Sequence, residues 1–177
     1  MLLHFILALL LTVSPTIQDK QVLDKQTTED RARSGEALII NKKFNKMLFV
    51  RDGEVVQYYT VATGKTNDLT PEGEFEIVFK AIDPYYIKGN IAGGDPKNPL
   101  GKRWMGFNAL GTNGSKYGIH GNNNPDSIGK HISNGCIRMR NNEVEELYPQ
   151  IPIGTKVIIV MSPQSLEEVA RDHDLLK

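Results

Sequence analysis

Residues 37–64 read ALIINKKFNKMLFVRDGEVVQYYTVATG. Two short β-prone runs, ALIINKK and KMLFV, lead into Arg51-Asp52-Gly53-Glu54. Asp-Gly is a strong hairpin signal, because a two-residue type I′ turn needs positive φ at both central positions. EVVQYYTVAT then reads as the return strand, ending at Gly64. The pattern continues down the chain. Thr70-Pro71-Glu72-Gly73 reads as a turn and EFEIVFKA as an alternating strand, while residues 83–103, rich in Gly, Pro, Asn and Lys, form a long loop. WMGFNAL, KYGIH and KVIIVM, the last following a Pro152-Ile153-Gly154 turn, are further strands. Many short strands separated by turn signals predict a mainly β domain, a sandwich or barrel.

One helix interrupts this pattern. Asn142 is placed to cap it with Glu145 at the third helical position, and Val144, Leu147 and Tyr148 fall on one face. The tail, residues 162–177, is a candidate for a second, peripheral helix.

Composition narrows the function. Lys plus Arg equals Asp plus Glu, 21 each, so the chain has no electrostatic footprint for nucleic acid or anionic lipid. At 177 residues and 40% hydrophobic, it can build one ordinary core. Residues 2–13, LLHFILALLLTV, are too few to span a bilayer, which needs about 20, but suit the h-region of an export signal. Residues 1–18 are therefore expected to be a signal peptide or N-terminal anchor, and the polar residues 19–36 a linker. The domain is expected to work outside the cytoplasm, secreted or wall-associated, touching membrane only through an uncleaved N-terminal segment.

The single cysteine, Cys136, excludes a disulfide framework and a cysteine-rich zinc site. In CIRMR, strand alternation puts Cys136, Arg138 and Arg140 on one face and Ile137 and Met139 on the other, toward the core. A thiol among cations, with a histidine in reach, is the chemistry of an activated nucleophile. His120 is the candidate base, and the adjacent Gly121 allows a tight turn that offers a carbonyl to its ring. Such a pair is expected to depress the thiol pKa below its usual value of about 8.5. The N–H groups near Asn134, Gly135 and Cys136 are candidate oxyanion donors. The spacing alone leaves both the catalytic and the inert reading of Cys136 open.

IHG, residues 119–121, followed by SNGCIRM, residues 133–139, resembles the signature of the YkuD-type L,D-transpeptidases. VATGK, TPEGEFEI, NPLGKRWMGF, YGIHGNNNPDSIGK and PIGTKVIIV extend the likeness in order over residues 37–161. The resemblance implies a β-sandwich whose short helix follows the catalytic strand, and acyl transfer on peptidoglycan stem tetrapeptides through a thioester, releasing D-alanine. It implies Cys136 as nucleophile, His120 as general base and acid, and Gly121 as the carbonyl that orients His120. Ser133, Gly135 and Arg138 match the rest of the signature and, together with Asn134, are the expected oxyanion and substrate-binding positions, with Arg138 stabilising the thiolate or binding a carboxylate. No metal or organic cofactor is implied. Asn134 stands where many members carry histidine. Water as acceptor would make an L,D-carboxypeptidase, and loss of chemistry would leave a wall-binding module of the same fold. A sortase-like enzyme fits poorly, because its histidine lies much farther from its cysteine. His131 is the weaker base, Trp104 and Tyr117 read as core, and Asn122, Asn123 and Asn124 read as a polar loop or as amide binders. Oligomeric state leaves no mark in the sequence.

Overall fold

The computed structural model describes residues 35–177. The apolar run of residues 2–13 and nearly all of the linker lie outside the described residues. No helix among the described residues is long and apolar enough to cross a membrane.

The opening stretch forms β1 (Ala37–Asn41), β2 (Lys46–Arg51) and β3 (Glu54–Thr60). Arg51 pairs with Glu54 across the two-residue turn, and Asp52 and Gly53 have φ of 55° and 82°, the positive pair that a type I′ turn requires. There follow β4 (Thr63–Gly64), β5 (Gly73–Ile82), β6 (Arg103–Phe107), β7 (Tyr117–His120), β8 (His131–Ser133), β9 (Ile137–Arg138), helix α1 (Asn141–Leu147), β10 (Lys156–Val160) and helix α2 (Leu166–Asp172).

Eight strands make one sheet in the order β3-β2-β1-β10-β5-β6-β7-β9, and β4 pairs with β8 in a second, two-stranded one. β5 holds the two halves of the large sheet together. Its residues Gly73–Glu76 pair with β10, and its residues from Ile77 onward pair with β6, with a register shift between Ile77 and Phe79. The sheet curls on itself. Leu38, Ile40, Met47 and Phe49 from one half meet Met105, Phe107, Ile119 and Ile137 from the other in a single core, closed by Val144 and Leu147 of α1. The mainly β expectation holds, with the two layers being parts of one continuous curled sheet.

β1 is buried on both faces, which explains its uninterrupted apolar run. Leu38 and Ile40 enter the main core, while Ala37 and Ile39 join Leu48, Val50 and Ile158 under α2. The tail is thus more than a peripheral helix. Leu166, Val169 and Ala170 close a second core, and burying Leu166 and Val169 is worth roughly 1.5–3 kcal/mol each.

The capping box lies on this tail helix and not at Asn142. The Ser165 hydroxyl accepts from Glu168 N–H at 3.1 Å, and Glu168 accepts from Ser165 N–H at 2.7 Å. α1 instead starts at Asn141 with Arg140 in the N-cap position and no side-chain cap. The Asn141 amide is engaged elsewhere, and Arg140 reaches along the helix to Glu143 at 3.1 Å.

Candidate active site

β7 and β9 run parallel, with Ile119 opposite Ile137 and His120 opposite Arg138. Directly paired residues share a face, so the His120 ring and the Arg138 guanidinium project together. Cys136 stands two residues before Arg138 and one before the strand begins. Continuing the alternation puts its side chain on that same face, diagonal to His120 and within reach of a neighbouring side chain. Burial follows this alternation: Ile137 and Met139 are fully buried, Cys136 and Arg138 are half-buried, and Arg140 is exposed.

His120 ends β7 and is only 3% exposed. Its Nδ1 lies 2.6 Å from the Gly121 carbonyl oxygen. A carbonyl only accepts, so Nδ1 carries the proton and Nε2 is the basic nitrogen. The ring stacks on Trp104, with centroids 5.3 Å apart and planes 18° off parallel. Trp104 Nε1 donates to the Gly114 carbonyl at 2.9 Å, which locks the indole. Gly118 makes room for that indole, since a Cβ there would sit 2.6 Å from it. Trp104 and Tyr117 are buried as core reading requires, and Trp104 is also the floor beneath His120.

Burial pushes His120 down to about 4, and the Arg138 charge adds to this against the backbone contacts at Gly121 and Leu100. Burial also pushes the Cys136 thiol up, against a backbone hydrogen bond with Gly118 and the charges of Arg138 and Lys88. The expectation of a depressed thiol pKa is therefore overturned, because desolvation outweighs the neighbouring cations. Near neutrality the pair is a neutral thiol and a neutral imidazole. The thiol has a weak contact to the Lys116 carbonyl at 3.5 Å.

The turn from Ser133 to Cys136 is held from several sides. Ser133 Oγ accepts from Gly135 N–H at 3.1 Å and donates to the Cys136 carbonyl at 2.6 Å. The Gly135 N–H is thus committed within the turn, which leaves those of Asn134 and Cys136 as oxyanion candidates. Ser133 itself is a brace of the turn. Gly135 has φ of 125°, and a Cβ there would lie 2.5 Å from the Leu69 carbonyl oxygen, so only glycine fits. Asn134 is exposed.

Two supports went unread in the sequence. Thr70, fully buried, accepts from Gly64 N–H at 2.8 Å and donates to the Gly135 carbonyl at 3.1 Å. Lys42, buried in β1's exit turn, donates to the carbonyls of Asn67 at 2.6 Å and Thr70 at 2.8 Å, and pairs with Glu72 at 3.0 Å. Asn122 is buried and donates to the Met139 carbonyl at 2.5 Å, a structural bond, while exposed Asn123 donates to the Lys97 carbonyl at 2.7 Å. Asn124 precedes a single 3-10 turn. His131 sits on β8 of the small sheet, exposed, with Nδ1 3.1 Å from Thr63 Oγ1. Among the described residues Arg138 Nε is buried without a partner.

A curled β-sheet that sets a thiol, a neutral imidazole and a guanidinium on one face is a scaffold for acyl-transfer chemistry. The chain belongs to the L,D-transpeptidase catalytic domain family, whose model matches residues 35–159. It is 55% identical over 139 residues to the putative L,D-transpeptidase YqjB of Bacillus subtilis, covering 78% of this chain and 79% of that one. It is 43% identical over 112 residues to the putative L,D-transpeptidase YkuD of Bacillus licheniformis, covering 63% and 57%. The solved L,D-transpeptidase from Mycobacterium smegmatis has the same fold, with a TM-score of 0.55 at 19% identity, covering 72% of this chain and 59% of that one. The chain thus spans about four fifths of the first relative and less than two thirds of the other two.

Proposed function

We propose that the protein is a cysteine-dependent L,D-transpeptidase that cross-links peptidoglycan stem peptides through a thioester on Cys136. The observation that supports this reading is the parallel pairing of β7 with β9, which sets His120 opposite Arg138, two residues after Cys136. Membership of the family supports the reaction class.

Both reacting groups start neutral. Cys136 Sγ attacks the carbonyl carbon of the third residue of a tetrapeptide stem as its proton passes to His120 Nε2. The Arg138 charge stabilises the thiolate as it forms, and offers a cation on the same face for a stem carboxylate. The N–H groups of Asn134 and Cys136 receive the oxyanion. The imidazolium then gives its proton to the leaving nitrogen, the C–N bond breaks, and D-alanine departs. The amine of a second stem attacks the thioester, forms the new amide and returns the proton to sulfur through His120. This work takes place outside the membrane, which suits the apolar run of residues 2–13.

The test is incubation of the protein with purified disaccharide-tetrapeptide, followed by mass analysis. The protein should gain the mass of the donor minus D-alanine, and cross-linked dimer should accumulate. Cys136→Ala should gain no mass yet melt within a few degrees of the parent, because a small half-buried side chain is lost from a cleft face. A large drop in melting temperature with retained turnover would make Cys136 a core residue and end the mechanism.

A further inference from the structure

We propose that Asn141, the first residue of α1, is a positioning residue that sets the tautomer of His120 through the peptide plane between Gly121 and Asn122. This rests on the reading of His120 as the base.

Gly121 C=O and Asn122 N–H belong to one rigid trans unit and point in opposite directions. The carbonyl end receives His120 Nδ1–H at 2.6 Å. The N–H end donates to Asn141 Oδ1 at 3.0 Å. Whatever holds the N–H therefore aims the carbonyl. Each bond also polarises the next, so an acceptor on the N–H makes the carbonyl a better acceptor for the histidine.

Asn141 is built to hold that plane. Its Nδ2 donates to the Asn122 carbonyl at 2.9 Å, so one carboxamide grips both main-chain groups of one residue. Asn122 is fixed at its other end too, since its side chain donates to the Met139 carbonyl at 2.5 Å. Met139 N–H donates in turn to the His120 carbonyl at 2.8 Å, which closes a ring of bonds around the strand end. The packing leaves no slack. A Cβ on Gly121 would lie 2.1 Å from Asn141 Oδ1, and one on Gly101 would lie 2.3 Å from it. Both glycines are empty space that the Asn141 amide occupies. The helix start lacks a side-chain cap because its N-cap residue is Arg140, whose guanidinium has no acceptor to offer, while the Asn141 amide is spent on the main chain of Asn122.

Two variants separate the roles. Asn141→Ala removes both bonds. Asn141→Asp keeps an acceptor for Asn122 N–H and the side-chain volume, and exchanges the donor for a charged carboxylate oxygen. The readouts are the nitrogen NMR signals of the His120 ring at pH 7 and the rate of acylation by disaccharide-tetrapeptide. The parent should show one tautomer with the proton on Nδ1. Asn141→Ala should show mixed tautomers and acylate about 10–100-fold more slowly, the size of loss seen when partners that orient metal-bound histidines are removed. Asn141→Asp should restore the single tautomer and most of the rate. A parent-like rate in Asn141→Ala overturns the proposal, and so does a slow Ala variant with unchanged ring signals, since Asn141 would then act on substrate through the 470 Å³ cavity it also lines. If the Ala variant does not fold, Asn141→Asp decides alone, with a mixed-tautomer spectrum counting against the proposal. The ring signals need no acyl transfer. Failure of the base reading would appear separately, as a His120→Ala protein with parent rate.

Discussion

The histidine and the cysteine are held in different ways. His120 sits in the regular sheet: it ends β7, pairs with Trp104 on one side and Arg138 on the other, and has its ring stacked and hydrogen-bonded. Its support is compact and lies almost wholly in β6, β7 and the start of α1. Cys136 sits in a turn between β8 and β9, outside any strand. Its support is dispersed: Ser133 inside the turn, Thr70 and Leu69 from one loop, and Lys42 behind that loop. A sheet fixes a base by register. A turn fixes a nucleophile by hydrogen bonds that reach it from distant parts of the chain. The first kind of support acts on one ring and its peptide plane, whereas the second ties placement of the thiol to contacts from distant parts of the chain.

The largest effect that tests this contrast is loss of the base itself. His120→Ala should slow acylation by about 10²–10⁴-fold, the usual contribution of general acid–base catalysis, while His131→Ala stays near the parent. His131 is exposed, and its Nδ1 is engaged with Thr63 Oγ1 at 3.1 Å. Equal losses in the two variants, measured as acylation rate by mass analysis, would place the base on the turn side and dissolve the contrast.

The two kinds of support were not equally legible in the sequence. Strands announce themselves by period and by turn chemistry. The Asp52-Gly53 hairpin and the alternation of CIRMR read directly from local residues, whereas the return strand, expected to run to Gly64, ends at Thr60 and Thr63–Gly64 joins the small sheet. The curl of the sheet does not read locally, because β1 pairs in parallel with β10, more than a hundred residues away, and β5 serves two neighbours at once. Thr70 looks like any turn threonine before a proline, and Lys42 like any surface lysine, until the chain is folded. Asn141 and Asn122 are each one asparagine in an asparagine-rich stretch. The misplaced capping box shows the same limit: Asn142 and Glu145 satisfy the pattern, yet the N-cap is Arg140 and the helix begins two residues earlier than that pattern places it. The direction of the thiol pKa was also hidden, since cations are visible in the sequence and desolvation is not.

A second effect belongs to the histidine side. His120 titrates at about 4 in the folded protein, against an ordinary 6.5. Below pH 6.5 the unfolded chain binds a proton that the folded one refuses, so stability falls as pH drops from 6.5 toward 4. The loss attributable to this one group reaches roughly 3 kcal/mol near pH 4. His120→Phe keeps a ring against Trp104 and removes the titration. Denaturant melts at pH 7 and pH 4.5 should show a smaller acid loss in that variant than in the parent. Equal losses would mean that the His120 site is wet, and that the histidine is not the sheltered member of the pair. The same shift keeps the base neutral in mild acid, so kcat/KM should hold well below pH 6.5.

The smallest effect is expected on the cysteine side, from Thr70→Val. Valine matches threonine in shape, so packing is preserved and only the hydroxyl is lost. That hydroxyl accepts from Gly64 N–H and donates to the Gly135 carbonyl, both in the buried interior beside the turn. Removing it leaves two polar groups without partners, at a cost of about 1–3 kcal/mol. The melting temperature should fall on the order of 5 °C. The rate of acylation should fall with it, by less than in His120→Ala, because Ser133 and Lys42 still hold the turn and its loop. Coupled losses are the signature of a nucleophile placed by dispersed support, and Asn141→Ala should differ by losing rate out of proportion to its fall in melting temperature. A Thr70→Val protein that melts and acylates like the parent would show that the turn is held by Ser133 and the Gly135 backbone alone, making the cysteine's support as local as the histidine's.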